Sequence, residues 1–303
     1  MTDFSERRLA RRTLFKGAGA GIVLMGAGGA ARAQESGGAA PEETALKGNI
    51  NHSVCRWTFG DLPLEDLAAL CKEIGIGAID LCGPDDWETL KNNGLDSSMC
   101  NGAEISLEDG WAEPENHPEL IERYRRHIDL VSQAGFTNLI LFSGNRREMD
   151  PAEGLANCET GLKEILGQAE EAGVVLQMEL LNSKVDHPDY LCDNSPWGIE
   201  LVQRLGSPNF KLLYDIYHMQ IMEGDVIRTI TDHHENFGHY HTAGNPGRNE
   251  LDENQELFYP AICRAIRDSG FDGYVAQEFI PSADQGSPEA AEALRRAVLT
   301  CDV

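Results

Sequence analysis

Residues 211–219 read KLLYDIYHM. An apolar run of the kind that fills a strand buried on both faces stops on Asp215, and His218 follows three residues later. A carboxylate carried alone into a core is costly, or takes up a proton. The stretch therefore predicts a buried strand whose end opens on a polar site, and something at that site that makes the charge tolerable.

Working outward, the same kind of run recurs. Strand-like segments are HSVCRWTF (52–59), AIDLCG (78–83), SSMCNGA (97–103), NLILFSG (138–144), VVLQMELLN (174–182), FKLLYDIYH (210–218), GHYHTAG (238–244) and GYVAQEF (273–279). Between them lie stretches whose apolar residues recur every three or four positions, the period of an amphipathic helix. Examples are LEDLAALCKEIG (64–75), PELIERYRRHIDLVSQAG (118–135), ANCETGLKEILGQAEEAG (156–173) and FYPAICRAIRDSG (258–270). A helix-closing glycine leads straight into the next apolar run at Ala134-Gly135-Phe136 and Ala172-Gly173-Val174. A last helix is expected over 287–301, opened by Ser287 and Pro288. Eight strand–helix units in roughly 250 residues predict an α/β fold, a (β/α)8 TIM barrel, over residues 50–303. A doubly wound sheet would bring a glycine-rich phosphate loop after its first strand, and WTFGDLPLED (57–66) is not one.

The beginning of the chain reads differently. RRLARRTLFKGAGAGIVLMGAGGAARAQ (7–34) has a charged start with paired Arg11 and Arg12, a Gly/Ala-rich apolar stretch from Gly17 to Ala30, and the small-residue site Ala31-Arg32-Ala33. This is the layout of an export signal of twin-arginine type, and the stretch is shorter than the ~20 residues a bilayer span needs. We expect residues 1–33 to direct export to the periplasm, residues 34–49 to be a flexible linker, and no stable membrane span after cleavage. The chain carries 50 Asp and Glu against 25 Lys and Arg. That excess disfavours binding to the phosphate backbone of a nucleic acid. It leaves a small-molecule substrate as the expected partner and a homo-oligomer open. The eight cysteines form no C-x-x-C pair, so a zinc knuckle is not expected, and they read as small core residues.

In a barrel of this kind, catalytic groups sit at the C-terminal ends of the strands. There the fifth strand presents Glu179, the sixth Asp215, the seventh His239 and His241 on one face, and the eighth Glu278. Three carboxylates placed together would repel one another. A divalent cation removes that penalty, and a set of three carboxylates and an imidazole suits Mn²⁺, Mg²⁺ or Co²⁺, with Zn²⁺ as a further option. His218 is near enough to touch whatever the metal holds. His233 and His234, in ITDHHENFG (230–238), read as a solvated helix end, and DENQE (252–256) as a solvated loop without the order of a calcium-binding loop.

The segments MELLN (178–182), YDIYHMQIMEGD (214–225), GHYHTAGNPGR (238–248) and QEFIP (277–281) resemble the hydroxypyruvate isomerase branch of the xylose-isomerase-like sugar isomerases and epimerases, over about residues 50–300. CNGAEISLEDGW (100–111) is similar to the third-strand segment of that family. The resemblance implies one divalent metal held by Glu179, Asp215, His241 and Glu278. It also implies Glu179 and Glu278 as the paired proton acceptor and donor, and His218, Arg248 and Asn101 as substrate contacts. The activity it implies is metal-dependent isomerisation or epimerisation of a sugar or small keto acid through a cis-enediolate. Two other classes stay open: a metal-dependent hydrolase or endonuclease of the same fold, which would use more metals and a basic face for DNA, and a non-catalytic sugar-binding barrel, which would bind no metal.

Overall fold

The computed structural model describes residues 45–303. They lie in one compact unit. The expected signal and residues 34–44 of the expected linker fall outside the described residues.

Eight strands, β1 (Asn51–Cys55), β2 (Ala78–Cys82), β3 (Asp96–Cys100), β4 (Asn138–Leu141), β5 (Val175–Glu179), β6 (Phe210–Asp215), β7 (Phe237–Thr242) and β8 (Tyr274–Gln277), close in sequence order into a barrel. The closing pair, β1 with β8, is parallel like the others, with Ser53 opposite Ala276. Helices α1 (Leu64–Ile74), α2 (Trp87–Asn92), α3 (His117–Ala134), α4 (Pro151–Ala172), α5 (Ser195–Leu205), α6 (Ile216–Met222), α7 (Val226–His233), α8 (Tyr259–Asp268) and α9 (Pro288–Cys301) connect the strands and end the chain. None of the described helices is long and apolar enough to cross a membrane.

The helix stops follow from local chemistry. The Asp150 side chain accepts from the backbone N–H of Ala152 and Pro151 opens α4, so orphan donors are covered or absent at its start. Gly173 closes α4 with φ 69°, a left-handed conformation that only glycine adopts without strain, and the chain turns at once into β5. Along α3, Leu120, Tyr124, Ile128 and Val131 face inward, and Tyr124 donates its hydroxyl to the carbonyl of Ile140 in β4 at 2.9 Å. All eight cysteines are buried and unpaired.

Several expected boundaries shift. Residues 56–59 do not extend the first strand but form a single 3-10 turn, with Thr58 Oγ1 donating to the carbonyl of Cys55. The sixth strand stops at Asp215, and residues 216–218 begin α6. The reason lies in Asp215 itself: its side chain accepts from the backbone N–H of His218 at 2.8 Å, so it ends the strand and caps the helix together. His218 therefore stands on the first turn of a helix. His233 is exposed at the end of α7, and residues 252–254 and 256 are exposed in the loop before α8.

Candidate active site

Glu179 is the last residue of β5, Asp215 the last of β6, and His241 lies opposite Asp215 in β7. Glu278 follows β8 directly, its backbone N–H bonded to the carbonyl of Thr242. The strands thus deliver four ligand-type side chains to one point. A donor atom from each lies within 4.8 Å of the others, and all four residues are buried. An ion with bonds of about 2.0–2.6 Å holds its donors no more than about 5 Å apart, so this set fits a single divalent cation.

The charges are held by one another and by two further groups. His241 Nδ1 is 3.1 Å from Glu179 Oε1, 3.0 Å from Glu278 Oε2 and 3.9 Å from Asp215 Oδ2. Arg248 reaches in from the loop after β7, with Nη2 2.7 Å from Glu278 Oε2 and 3.9 Å from Asp215 Oδ2. Its backbone is left-handed (φ 58°), as is that of Gly247 before it (φ 97°), and the turn they make accompanies the guanidinium's reach back over the barrel mouth. Burial pushes the carboxyls of Glu179 and Asp215 above their ordinary range, and the charge of Glu278 adds to this. At Glu278 burial acts in the same direction but is overcome by Arg248 and then by His241, which hold it well below. His241 is itself held protonated against its burial, by Glu278 first. In effect, the imidazolium and the guanidinium offset the charge of the buried carboxylates.

Behind His241 lies a residue that the sequence reading passed over. Asp80 of β2, fully buried, places Oδ1 2.9 Å from His241 Nε2. Its Oδ2 accepts from Ser98 at 2.6 Å and lies 2.8 Å from His239 Nε2, off the angle of a good hydrogen bond. The register of β2 against β3 slips on both sides of Asp80, and Leu81 takes a strained left-handed backbone (φ 56°). Bulges of this sort re-aim a side chain; here the carboxylate points across the barrel to β7. With Asp80 accepting at Nε2, Nδ1 of His241 is the nitrogen left to face the other three carboxylates. The fit to a metal is thereby supported: a carboxylate behind a histidine fixes the tautomer that can ligate. His239, which the period of two places beside His241, lies against Asp80 and outside the four-residue set.

His218 is fully buried. Asn182 Nδ2 lies 2.6 Å from its Nδ1, and its Nε2 has no hydrogen-bond partner and lies 3.7 Å from Asp215 Oδ2. Burial, and next the charge of Arg248, keep the imidazole neutral. With Nδ1 accepting from Asn182, the proton sits on Nε2, a free donor beside the carboxylates. Trp57, in the 3-10 turn after β1, donates Nε1–H to Glu278 Oε1 at 2.9 Å; its ring lies 5.0 Å from the Arg248 guanidinium, and the ring of Tyr217 lies 5.6 Å from it. Asn101 follows β3 directly, half-buried against Gly83, and none of the described hydrogen bonds joins its side chain to the carboxylates. The sequence reading missed Asp80, Trp57 and Asn182. A signal existed for Asp80, a carboxylate inside the apolar run AIDLCG; for Trp57 and Asn182 none did, because their roles depend on loop geometry.

The profile of the xylose isomerase-like TIM barrel family matches residues 32–297. The 2-oxo-tetronate isomerase of Pectobacterium atrosepticum is 26% identical over 237 residues, 74% of this chain and 88% of that protein. The hydroxypyruvate isomerase of Escherichia coli is 33% identical over 108 residues, and the matched part spans only 41% of its length. Among solved structures, the 3-keto-D-glucoside 4-epimerase of E. coli superposes with a TM-score of 0.68 at 19% identity, over 83% of this chain and all of that one. An AP endonuclease, family 2, from Brucella melitensis gives 0.67 at 22% identity, over 81% and 98%. At these identities the two structures speak for the fold alone. The extent of the family match, over a closed eight-stranded barrel, identifies the chain as a member of the xylose isomerase-like TIM barrel family.

Proposed function

We propose that the protein is a metal-dependent isomerase or epimerase that acts on a sugar or small α-hydroxycarbonyl compound through a cis-enediolate. The observation that carries this is the convergence of Glu179, Asp215, His241 and Glu278 from four successive strands, with Arg248 and the free donor of His218 beside them. Relatives named as 2-oxo-tetronate and hydroxypyruvate isomerases support the reaction type. Glu179, Asp215, Nδ1 of His241 and Glu278 would hold one divalent cation, Mn²⁺, Mg²⁺ or Co²⁺ by donor chemistry, and when bound it would polarise a substrate carbonyl and acidify the adjacent C–H.

The chain's own groups do the rest. Glu278, kept ionised by Arg248, is suited to take a proton from that carbon. Glu179 is suited to return a proton to the neighbouring carbon or to the opposite face. Return to the neighbouring carbon is isomerisation; return to the other face is epimerisation. His218 Nε2–H and Arg248 would hold substrate oxygens, and Arg248 would offset charge on the enediolate. Turnover in D₂O by the manganese-loaded protein should place deuterium on the carbon beside the carbonyl. Product without deuterium after many reversals of the equilibrium would sink this chemistry. Solvent oxygen in two separate products would indicate a hydrolase instead.

Export to the periplasm is part of the same proposal, motivated by Arg11, Arg12, the apolar stretch 17–30 and the Ala31-Arg32-Ala33 site. A reporter fused to residues 1–40 should leave the cytoplasm, and Arg11→Lys with Arg12→Lys should retain it; unchanged export of the double variant would show the route to be another.

A further inference from the structure

Three buried polar atoms at the barrel mouth have no partner among the described residues: Nε2 of His187, Nε2 of His218 and Nε of Arg248. Buried polar groups are nearly always bonded, so unpartnered ones gathered in one place ask for a ligand or ordered water. The rings of His187 and His218 lie 5.2 Å apart, inclined by 60°. Burial, and next the charge of Arg248, lower the pKa of both imidazoles, while Asp186, Glu278 and Glu108 oppose this at His187. His218 and Arg248 already have a part in the proposed chemistry; His187 has none.

The chain fixes His187 through its backbone and leaves its Nε2 free. His187 stands in the loop between β5 and α5. Its N–H donates to the carbonyl of Asn182 at 3.1 Å, and its own carbonyl accepts from the N–H of Tyr190 at 3.1 Å. Asn182 Oδ1 accepts from the N–H groups of Val185 and Asp186, and its Nδ2 lies 2.6 Å from Nδ1 of His218. One amide side chain thus ties the loop to the His218 ring. His218 Nε2 lies 3.7 Å from Asp215 Oδ2, against the carboxylate set. His187 stands one ring further out and belongs to no ligand-type cluster among the described residues. Leaving its nitrogen buried and unbonded is costly, and a hydroxyl that arrives with the substrate removes the cost. A neutral imidazole nitrogen donates or accepts according to tautomer, and a hydroxyl answers either.

On the isomerase or epimerase reading above, we propose that His187 is a substrate contact and a specificity-determining residue. Its Nε2 bonds a hydroxyl on a carbon beyond the reacting ones, so the site selects for a chain that extends past them.

The test uses two pairs of open-chain probes, each matched in charge: dihydroxyacetone with D-erythrulose, and hydroxypyruvate with 2-oxo-tetronate. The second of each pair carries one more hydroxylated carbon. Deuterium exchange by the manganese-loaded full chain should favour the longer member by at least about tenfold in kcat/KM, because a site built to bond a hydroxyl rejects the analogue without it. His187→Ala should lose at least about tenfold on the longer member and less than about twofold on the shorter. His187→Gln, which keeps a donor and an acceptor, should recover part of the loss. Calorimetry reads the same contrast without turnover: His187→Ala should bind the longer member several-fold more weakly and the shorter one as the parent does. Both variants should keep the parent's denaturation midpoint, since Nε2 bonds to nothing in the fold. Exchange that is equally impaired on long and short probes would make His187 a brace for His218 and overturn the inference. Exchange unchanged by either variant would also overturn it, and would leave the isomerase reading standing. A binding contrast with no exchange on any probe would remove the isomerase reading and keep His187 as a ligand contact. Neither binding nor exchange with any of the four would overturn the inference.

Discussion

The inside of the barrel and the layer of helices around it are equally buried and chemically opposite. On α4, Leu155, Cys158, Leu162, Ile165 and Ala169 have at most 2% of their surface exposed, and every one is apolar. Inside the barrel, Ser53, Asp80, Ser98, Gln177, His239 and His241 are as deeply buried, and every one is polar or ionisable. The outer layer gains stability by removing hydrocarbon from water, about 1.5–3 kcal/mol for each large apolar side chain. The inner one spends some of that on charges that are tolerable only in company. On the proposed function, stability and chemistry are assigned to different layers, and substitutions in the two should fail in different ways.

The largest effect on stability is expected outside the barrel. Leu162→Ala, at a fully buried position of α4, should destabilise the fold by about 2–5 kcal/mol in denaturant titration, with manganese affinity of the folded protein unchanged. A matching loss of metal affinity would mean that the layers are not separable. Inside, Glu278→Gln should do the reverse: turnover falls by ~10²-fold or more while the fold persists and part of the metal remains. Asp80→Asn should lower manganese affinity by about 10- to 100-fold, because Nε2 of His241 loses the anionic acceptor that fixes its tautomer and raises the basicity of Nδ1. Equal affinity in the variant would reduce Asp80 to packing.

The smallest effect concerns a buried imidazole at the start of β1. His52 lies 3.8 Å from Asp302 Oδ1, and burial lowers its pKa to about 4, with Asp302 opposing. The unfolded chain then binds a proton that the folded chain refuses between pH 6.5 and about 4. Stability from this group is present above pH 6.5 and is lost as the pH falls through that window, on the order of 1–2 kcal/mol by pH 5. His52→Gln should flatten the pH dependence of the denaturation midpoint in that range, and an unchanged slope would place the acid sensitivity elsewhere.

Most of the fold was legible in the sequence because its signals are local. The eight strand runs, the helix period and the glycine stops at 135 and 173 all depend on neighbours a few residues away. Glu179, Asp215 and Glu278 stood out for a related reason: each is a carboxylate beside apolar residues at the same end of its strand, and the topology of a parallel barrel brings those ends together; for His241 the period of two offered His239 equally, and the family resemblance chose between them. What the sequence by itself determined, then, was the architecture, the end of the barrel where the ligand-type side chains gather and the three carboxylates that meet there. The tertiary structure decided the rest. Asp80 looks like the other interrupting carboxylates, but only a bulge at Leu81 and the closure of β2 opposite β7 aim it at His241. Trp57 and Arg248 reach Glu278 from loops whose conformation no periodicity encodes, and Asp215 serves as strand end and helix cap together. The physical reason is distance along the chain: Asp80 and His241 are 161 residues apart, and the energy that fixes their contact comes from the whole closed barrel, not from the sequence around either residue.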